Sequence, residues 1–106
     1  MQIIIDMDGT ICSEERTYSR CLAKPKKNAK ETINSLYEQG HTIIIYSART
    51  WVEYEMTVDW LKRYGIKYHQ LIMGKPIGDI WIDDRAFQFE DNWDVIGKFL
   101  EEKSHG

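Results

Sequence analysis

The stretch Ile3-Ile4-Ile5-Asp6-Met7-Asp8-Gly9-Thr10 constrains this chain more than any other. Three consecutive isoleucines fit a strand covered on both faces, as in a parallel sheet, and the strand runs out into two carboxylates one residue apart followed by glycine. Polar groups at the carboxyl end of such a strand stand where open α/β sheets place their ligands, so Asp6 and Asp8 are expected to share one crevice. Two carboxylates so close repel each other unless a cation or a shared proton intervenes, which asks for a metal ion or a divided acid and base pair. Aspartate and glycine are also ordinary turn formers, and on this stretch alone a plain turn competes with an active-site edge.

The rest of the chain repeats the pattern of apolar strand, polar exit and helix. Residues 11–23 are polar and aperiodic, long enough for a flap over the crevice. A helix follows: Pro25 suits its first turn, Ala29, Ile33, Leu36 and Tyr37 recur at helical spacing, and Gly40 ends it. Thr42-Ile43-Ile44-Ile45-Tyr46 reads as a second strand that exits into Ser47-Ala48-Arg49-Thr50. The second helix spans about 53–64, with Met56, Trp60, Leu61 and Tyr64 on one stripe and Gly65 as terminator. Gln70-Leu71-Ile72-Met73 is a third strand leading into Gly74-Lys75-Pro76, and Ile80-Trp81-Ile82 a fourth leading into Asp83-Asp84-Arg85. The last helix spans about 93–102 after the candidate caps Asp91 and Asn92, and the tail 101–106 reads as frayed. Strands separated by helices imply parallel pairing through right-handed crossovers, with every strand's carboxyl end on one edge. The expected fold is a single α/β domain over residues 1–106, a small Rossmann-like parallel sheet flanked by helices.

At 106 residues the chain has room for one modest core, and not for a second domain that would cover a substrate. Fourteen basic and seventeen acidic residues give a net charge of -3, and Lys24-Pro25-Lys26-Lys27 is the one basic cluster, so nucleic acid is not favoured as a partner. The first strand begins at Gln2, leaving no room for a leader, and no apolar run approaches a membrane span; a cytoplasmic protein is the expectation. Cys12 and Cys21 lack CxxC spacing and His41, His69 and His105 are scattered, which argues against a zinc site or a disulfide.

Taken singly, Ser47 could be a cap, Lys75 a loop lysine and Asp83-Asp84 a turn; their joint placement at one sheet edge is harder to explain that way. Acidic residues from two strands make an oxygen-rich pocket of the kind Mg²⁺ prefers. A lysine and a hydroxyl at the same edge suit the anionic oxygens of a transferring phosphoryl group. Arg49 and Arg85 follow these positions and could reach substrate or brace the acidic cluster by bidentate pairing. Trp51 and Tyr18 could contact a substrate ring, core packing or a subunit interface being the alternatives.

These motifs, in this order, resemble those of the haloacid dehalogenase superfamily of aspartate-nucleophile phosphohydrolases over about residues 1–85. Asp6-Met7-Asp8-Gly9-Thr10 looks like the first motif, Ser47 the second, Lys75 in Gly-Lys-Pro the third and Ile82-Asp83-Asp84 the acidic fourth. The larger cap domains of the superfamily are missing, as in its capless members. Among those, the Thr10-Ile11-Cys12 start, Tyr46-Ser47-Ala48-Arg49 and Asp83-Asp84-Arg85-Ala86 resemble bacterial capsule-polysaccharide biosynthesis phosphatases. The resemblance implies Asp6 as nucleophile and Asp8 as general acid and base. It implies Mg²⁺ held by Asp6, the Asp8 carbonyl and Asp83 or Asp84. Ser47 and Lys75 would hold phosphate oxygens, with Gly9, Thr10, Ala48, Arg49 and Arg85 as further phosphate- or substrate-binding positions. The expected substrate is a small phosphorylated metabolite such as a sugar phosphate, with no membrane partner and with a homo-oligomer compatible. A nucleotide or polynucleotide phosphatase, a phosphotransferase, and a phosphate- or partner-binding domain without turnover are the competing readings.

Overall fold

The computed structural model describes residues 1–105, and His105 in its backbone alone. Three strands form one parallel sheet: β1 (Gln2–Asp6), β2 (Thr42–Tyr46) and β3 (Gln70–Ile72), in the order β1-β2-β3. Their register runs from Gln2 opposite Thr42 to Asp6 opposite Tyr46, and from Ile44 opposite Gln70 to Tyr46 opposite Ile72. The carboxyl ends of all three strands are therefore level, and the polar segments after them meet at one edge.

Helix α1 (Ala29–Glu38) joins β1 to β2 and packs on β2, and α2 (Tyr54–Arg63) joins β2 to β3. Helix α3 (Trp93–His105) packs against α1. It carries the helix well past residue 102, through most of the stretch read as a frayed tail; Gly106 lies outside the described residues. The core gathers Ile5, Ile33, Leu36, Ile43, Ile45, Trp60 and Leu61 from sheet and helices. Helix α1 starts four residues later than its proline suggests, because Pro25 faces Cys12 in an isolated antiparallel bridge and Asn28 turns the chain in the left-handed region, at φ 65°. Gly40, at φ 92°, supplies the reversal that ends the helical segment, as its position predicts.

Two expectations fail. Ile80-Trp81-Ile82 is not a strand: residues 73–83 carry no regular structure, and Ile80 and Ile82 are exposed. Apolar composition suits a strand but does not make one without a hydrogen-bonding neighbour. In the three-stranded sheet β1 is an edge strand, and Ile4 is 61% exposed where its register partner Ile44 is buried. The isoleucine run thus sits in a strand covered on one face only, with Ile5 turned to the core.

The segment 11–23 is a docked connector. Ile11, Cys12 and Ala23 are fully buried, and 3₁₀ structure spans Thr17–Leu22. Helix α2 pins it from below: the Trp60 indole N–H donates to the Ala23 carbonyl at 2.9 Å and Arg63 to the Cys21 carbonyl at 2.7 Å. Arg20 and Glu53 form an ion pair at 2.5 Å, with Glu53 in the 3₁₀ turn Trp51–Glu53 that leads into α2. Among the described residues, no helix is long and apolar enough to cross a membrane.

Candidate active site

After β1 the backbone closes a tight loop around one carbonyl. Met7 O accepts from the amides of Thr10, Ile11 and Cys12 at 3.1, 2.8 and 3.3 Å, and the Gly9 amide returns to Cys12 O at 2.8 Å. This closure needs the left-handed turn at Gly9, φ 82°. The loop is anchored from α3, whose Trp93 indole donates to the Thr10 carbonyl at 2.9 Å. After β2 and β3 the chain is laced across the edge: Lys75 N donates to Ser47 O at 2.8 Å and Gly74 N to Arg49 O at 2.9 Å.

That lacing brings Lys75 from β3 to Asp6 from β1, with its ammonium 3.3 Å from Asp6 Oδ1; Thr10 Oγ1 donates to Asp6 Oδ2, also at 3.3 Å. Asp6 keeps 34% of its side chain exposed. It is a carboxylate open to an incoming group and flanked by a cation.

Asp8 is held differently. Arg49 grips it as a fork, Nε to Oδ2 at 2.9 Å and Nη2 to Oδ1 at 2.8 Å, while Nη1 donates to Thr57 Oγ1 at 3.0 Å. Arg49 is fully buried. Burial opposes its charge, but the hydrogen bonds and attraction of Asp8 outweigh that and hold the guanidinium above its ordinary pKa. Cys12 Sγ lies 3.7 Å from Asp8 Oδ1; burial first and the neighbouring Asp8 charge second push its thiol up to about 12, so it stays a neutral packing group. Ser47 is also buried, and its hydroxyl accepts the Arg49 amide at 3.1 Å, bracing the turn that aims the guanidinium. Ala48 lies half-buried between them.

Asp6, Asp8, Thr10, Ser47, Arg49 and Lys75 thus come together at one edge. Asp83, Asp84 and Arg85 do not join them. They are exposed on the segment without regular structure, where Asp83 Oδ1 accepts the Arg85 amide at 2.8 Å. Among the described residues no group of three histidine, cysteine or acidic side chains is arranged to hold a metal. Asp6 is the open carboxylate of the edge, the Asp8 side chain is occupied by Arg49, and Asp83 and Asp84 form no hydrogen bond or ion pair with either aspartate. The reason is the missing fourth strand, which was to carry the second acidic pair to the edge. Tyr18 is 80% exposed on the connector beside Arg16, and Trp51 is 61% exposed just after Arg49. Thr57, which supports Arg49 from α2, and Trp93, which supports the loop from a helix more than eighty residues away, are not among the residues singled out by motif or spacing, because long-range hydrogen bonds leave no local pattern. A hollow of about 420 Å³ between α1 and α3, lined by Asn28, Thr32 and Lys98 among others, contains none of the site residues.

A parallel α/β sheet with an open aspartate, a gripped aspartate and a lysine at its carboxyl edge defines a hydrolase-type core, and comparison with known proteins is specific on this point. A model of the haloacid dehalogenase-like hydrolases matches residues 3–77, and the chain belongs to that family. Among solved structures it is similar to a protein from Vibrio cholerae, at 21% identity and TM-score 0.69, covering 93% of this chain and 98% of that one. A conserved protein from Bacteroides thetaiotaomicron matches at 25% identity and TM-score 0.71, covering 97% and 91%. A chain of a Pnkp1/Rnl/Hen1 complex shares the fold at 21% identity and TM-score 0.61, over 96% of this chain and 34% of that one. No curated protein matches.

Proposed function

We propose that this protein is a phosphomonoester hydrolase working through an aspartyl-phosphate on Asp6, with a sugar phosphate or similar small metabolite as substrate. The observation that carries this reading is the pairing of two carboxylates in different states at one edge, Asp6 open beside Lys75 and Asp8 locked by Arg49. A binding module has no use for that division. Asp6 attacks phosphorus and the bond to the leaving oxygen breaks; Lys75 offsets the repulsion between the carboxylate and the anionic phosphate. Asp8 gives its proton to the leaving oxygen and then takes one from the water that cleaves the acyl phosphate. The Arg49 fork suits the Asp8 carboxylate that acts as base in the second step, whereas the first step requires Asp8 to carry a proton, with one oxygen released from the fork to face the leaving group.

Mg²⁺ is the cofactor the family resemblance calls for, and Asp6 with the Asp8 carbonyl and Asp83 or Asp84 are its proposed ligands; the steps above run through side chains already in place. A role in capsule or polysaccharide precursor synthesis in the cytoplasm rests on the resemblance of the motifs alone. Phosphotransfer would differ only in which hydroxyl resolves the intermediate. The test is hydrolysis of p-nitrophenyl phosphate by Asp6→Asn, expected to fall by several orders of magnitude with folding preserved. Turnover within about tenfold of the parent would remove Asp6 from the role. Unchanged turnover in excess chelator would remove Mg²⁺.

A further inference from the structure

Lys75 and the glycine before it each lie against a half-exposed indole. Its ammonium, 3.3 Å from Asp6, is also 5.2 Å from the centre of the Trp81 ring. The residue before it, Gly74, lies against Trp51: a β-carbon built there would stand 3.8 Å from the indole nitrogen. Trp51 is 61% and Trp81 53% exposed, whereas the other two tryptophans, Trp60 and Trp93, are buried and serve the core.

Trp51 is also held still. Thr50 and Glu53 cap its turn reciprocally, Glu53 is ion-paired to Arg20, and Tyr54 stacks on the indole at 5.7 Å. Folding gains little from an indole fixed in water, and a rigid aromatic face beside an anion-binding lysine is what a preorganised ligand platform requires.

We propose that Trp51 and Trp81 form the leaving-group subsite, selecting phosphomonoesters whose alcohol is a pyranose ring; this rests on the phosphomonoesterase reading above. With the phosphoryl group between Asp6 and Lys75, the alcohol lies beside the indoles. A pyranose offers them a flat C–H face while its hydroxyls remain in water. An acyclic alcohol has no such face.

The experiment measures kcat/KM for a hexopyranose phosphate, a nucleoside monophosphate and glycerol phosphate in the parent protein, W51A, W81A and the ring-conserving W51F and W81F. The ratio of hexopyranose phosphate to glycerol phosphate is expected to fall about fivefold in each alanine variant, mainly through KM, and to recover in the phenylalanine variants. An unchanged ratio overturns the proposal, including the case where both substrates lose activity together because the indoles merely support Lys75. So does a fall confined to the nucleoside monophosphate, or an altered oligomeric state with unchanged ratio, which would assign the indoles to a subunit interface. Should the parent hydrolyse none of the three, tryptophan fluorescence decides independently of turnover. Saturable quenching by hexopyranose phosphate, absent with glycerol phosphate and reduced in either alanine variant, supports the subsite, the hydrolase reading being decided separately by turnover of p-nitrophenyl phosphate. Absence of that quenching overturns the subsite.

Discussion

Arg49 gives up water on every side to hold one aspartate, and that choice sets the energetics of the site. A buried guanidinium is tolerable only while its partners remain, and removing one member of such a pair costs about 3 to 5 kcal/mol because the other charge is left uncompensated. Arg49→Met is therefore expected to lower stability by about 3 kcal/mol in urea denaturation, since Asp8 keeps a little access to water. Arg49→Lys retains the charge without the fork and should restore part of the stability and little of the turnover. A full recovery of turnover by lysine would show that charge alone matters. The two cysteines make a sharper contrast. Cys12, buried and with its thiol pushed up to about 12, should resist alkylation at neutral pH in the native protein, while the exposed Cys21 reacts. Mass spectrometry of the labelled protein before and after unfolding would read one site and then both. The run of isoleucine into Asp6 and Asp8 made both aspartates visible in the sequence. The opposite treatment of the two was not visible, because it depends on side chains of β2 and α2 arriving from forty and more residues away.

The connector between β1 and α1 carries the next level of organisation. Its length suggested a flap over the crevice; within it Ile11, Cys12 and Ala23 are buried and Cys21 and Ala23 are bonded to α2, while Tyr18 and Leu22 stand exposed. Glu53 is the hinge pin of this arrangement. Burial pushes its carboxyl up, but the hydrogen bonds from Arg20 and Thr50 and the Arg20 charge prevail and hold it below the ordinary glutamate range. A folded-state pKa below the unfolded one means that the charged carboxylate stabilises the protein at any pH above the unfolded value. That contribution drains away as pH falls through the lowered folded value. Glu53→Gln should accordingly melt at a lower temperature than the parent at pH 7, by the equivalent of about 1 to 2 kcal/mol. The gap should close as the pH is lowered beneath the carboxylate range, where the parent too is uncharged. A gap that persists in acid would assign the loss to packing. The aromatic and aliphatic spacing of α1 and α2 made their core faces readable in advance; the connector was not readable, since irregular backbone bonded to distant side chains has no periodicity.

Across the whole molecule, order is concentrated in the parallel sheet with α1 and α2 and thins along residues 74–92. Ile77, Ile80 and Ile82 are exposed there, and β1 leaves one edge unpaired beside the exposed Ile4. Limited trypsin digestion should cut first at Arg85 in this segment, and amide exchange should be fastest across 77–92 and slowest in β2, which is paired on both sides. First cleavage within the 17–22 connector would contradict its docked state. The amino-acid sequence by itself determined the alternation of strand and helix, the parallel order, and the levelling of Asp6, Ser47 and Lys75 at one edge. These follow from local apolar periodicity, from turn residues and from the handedness of crossovers, all of which act over short stretches of chain. Tertiary structure alone decided that Ile80-Trp81-Ile82 finds no strand partner and that Asp83 and Asp84 bond to none of Asp6, Asp8 and Lys75. It also decided that Arg49 is buried against Asp8 and that Trp51 and Trp81 stand against Gly74 and Lys75 respectively. Strand pairing and the burial of a charge depend on which surfaces meet after the chain has folded back on itself, and a linear pattern of residue types does not carry that information.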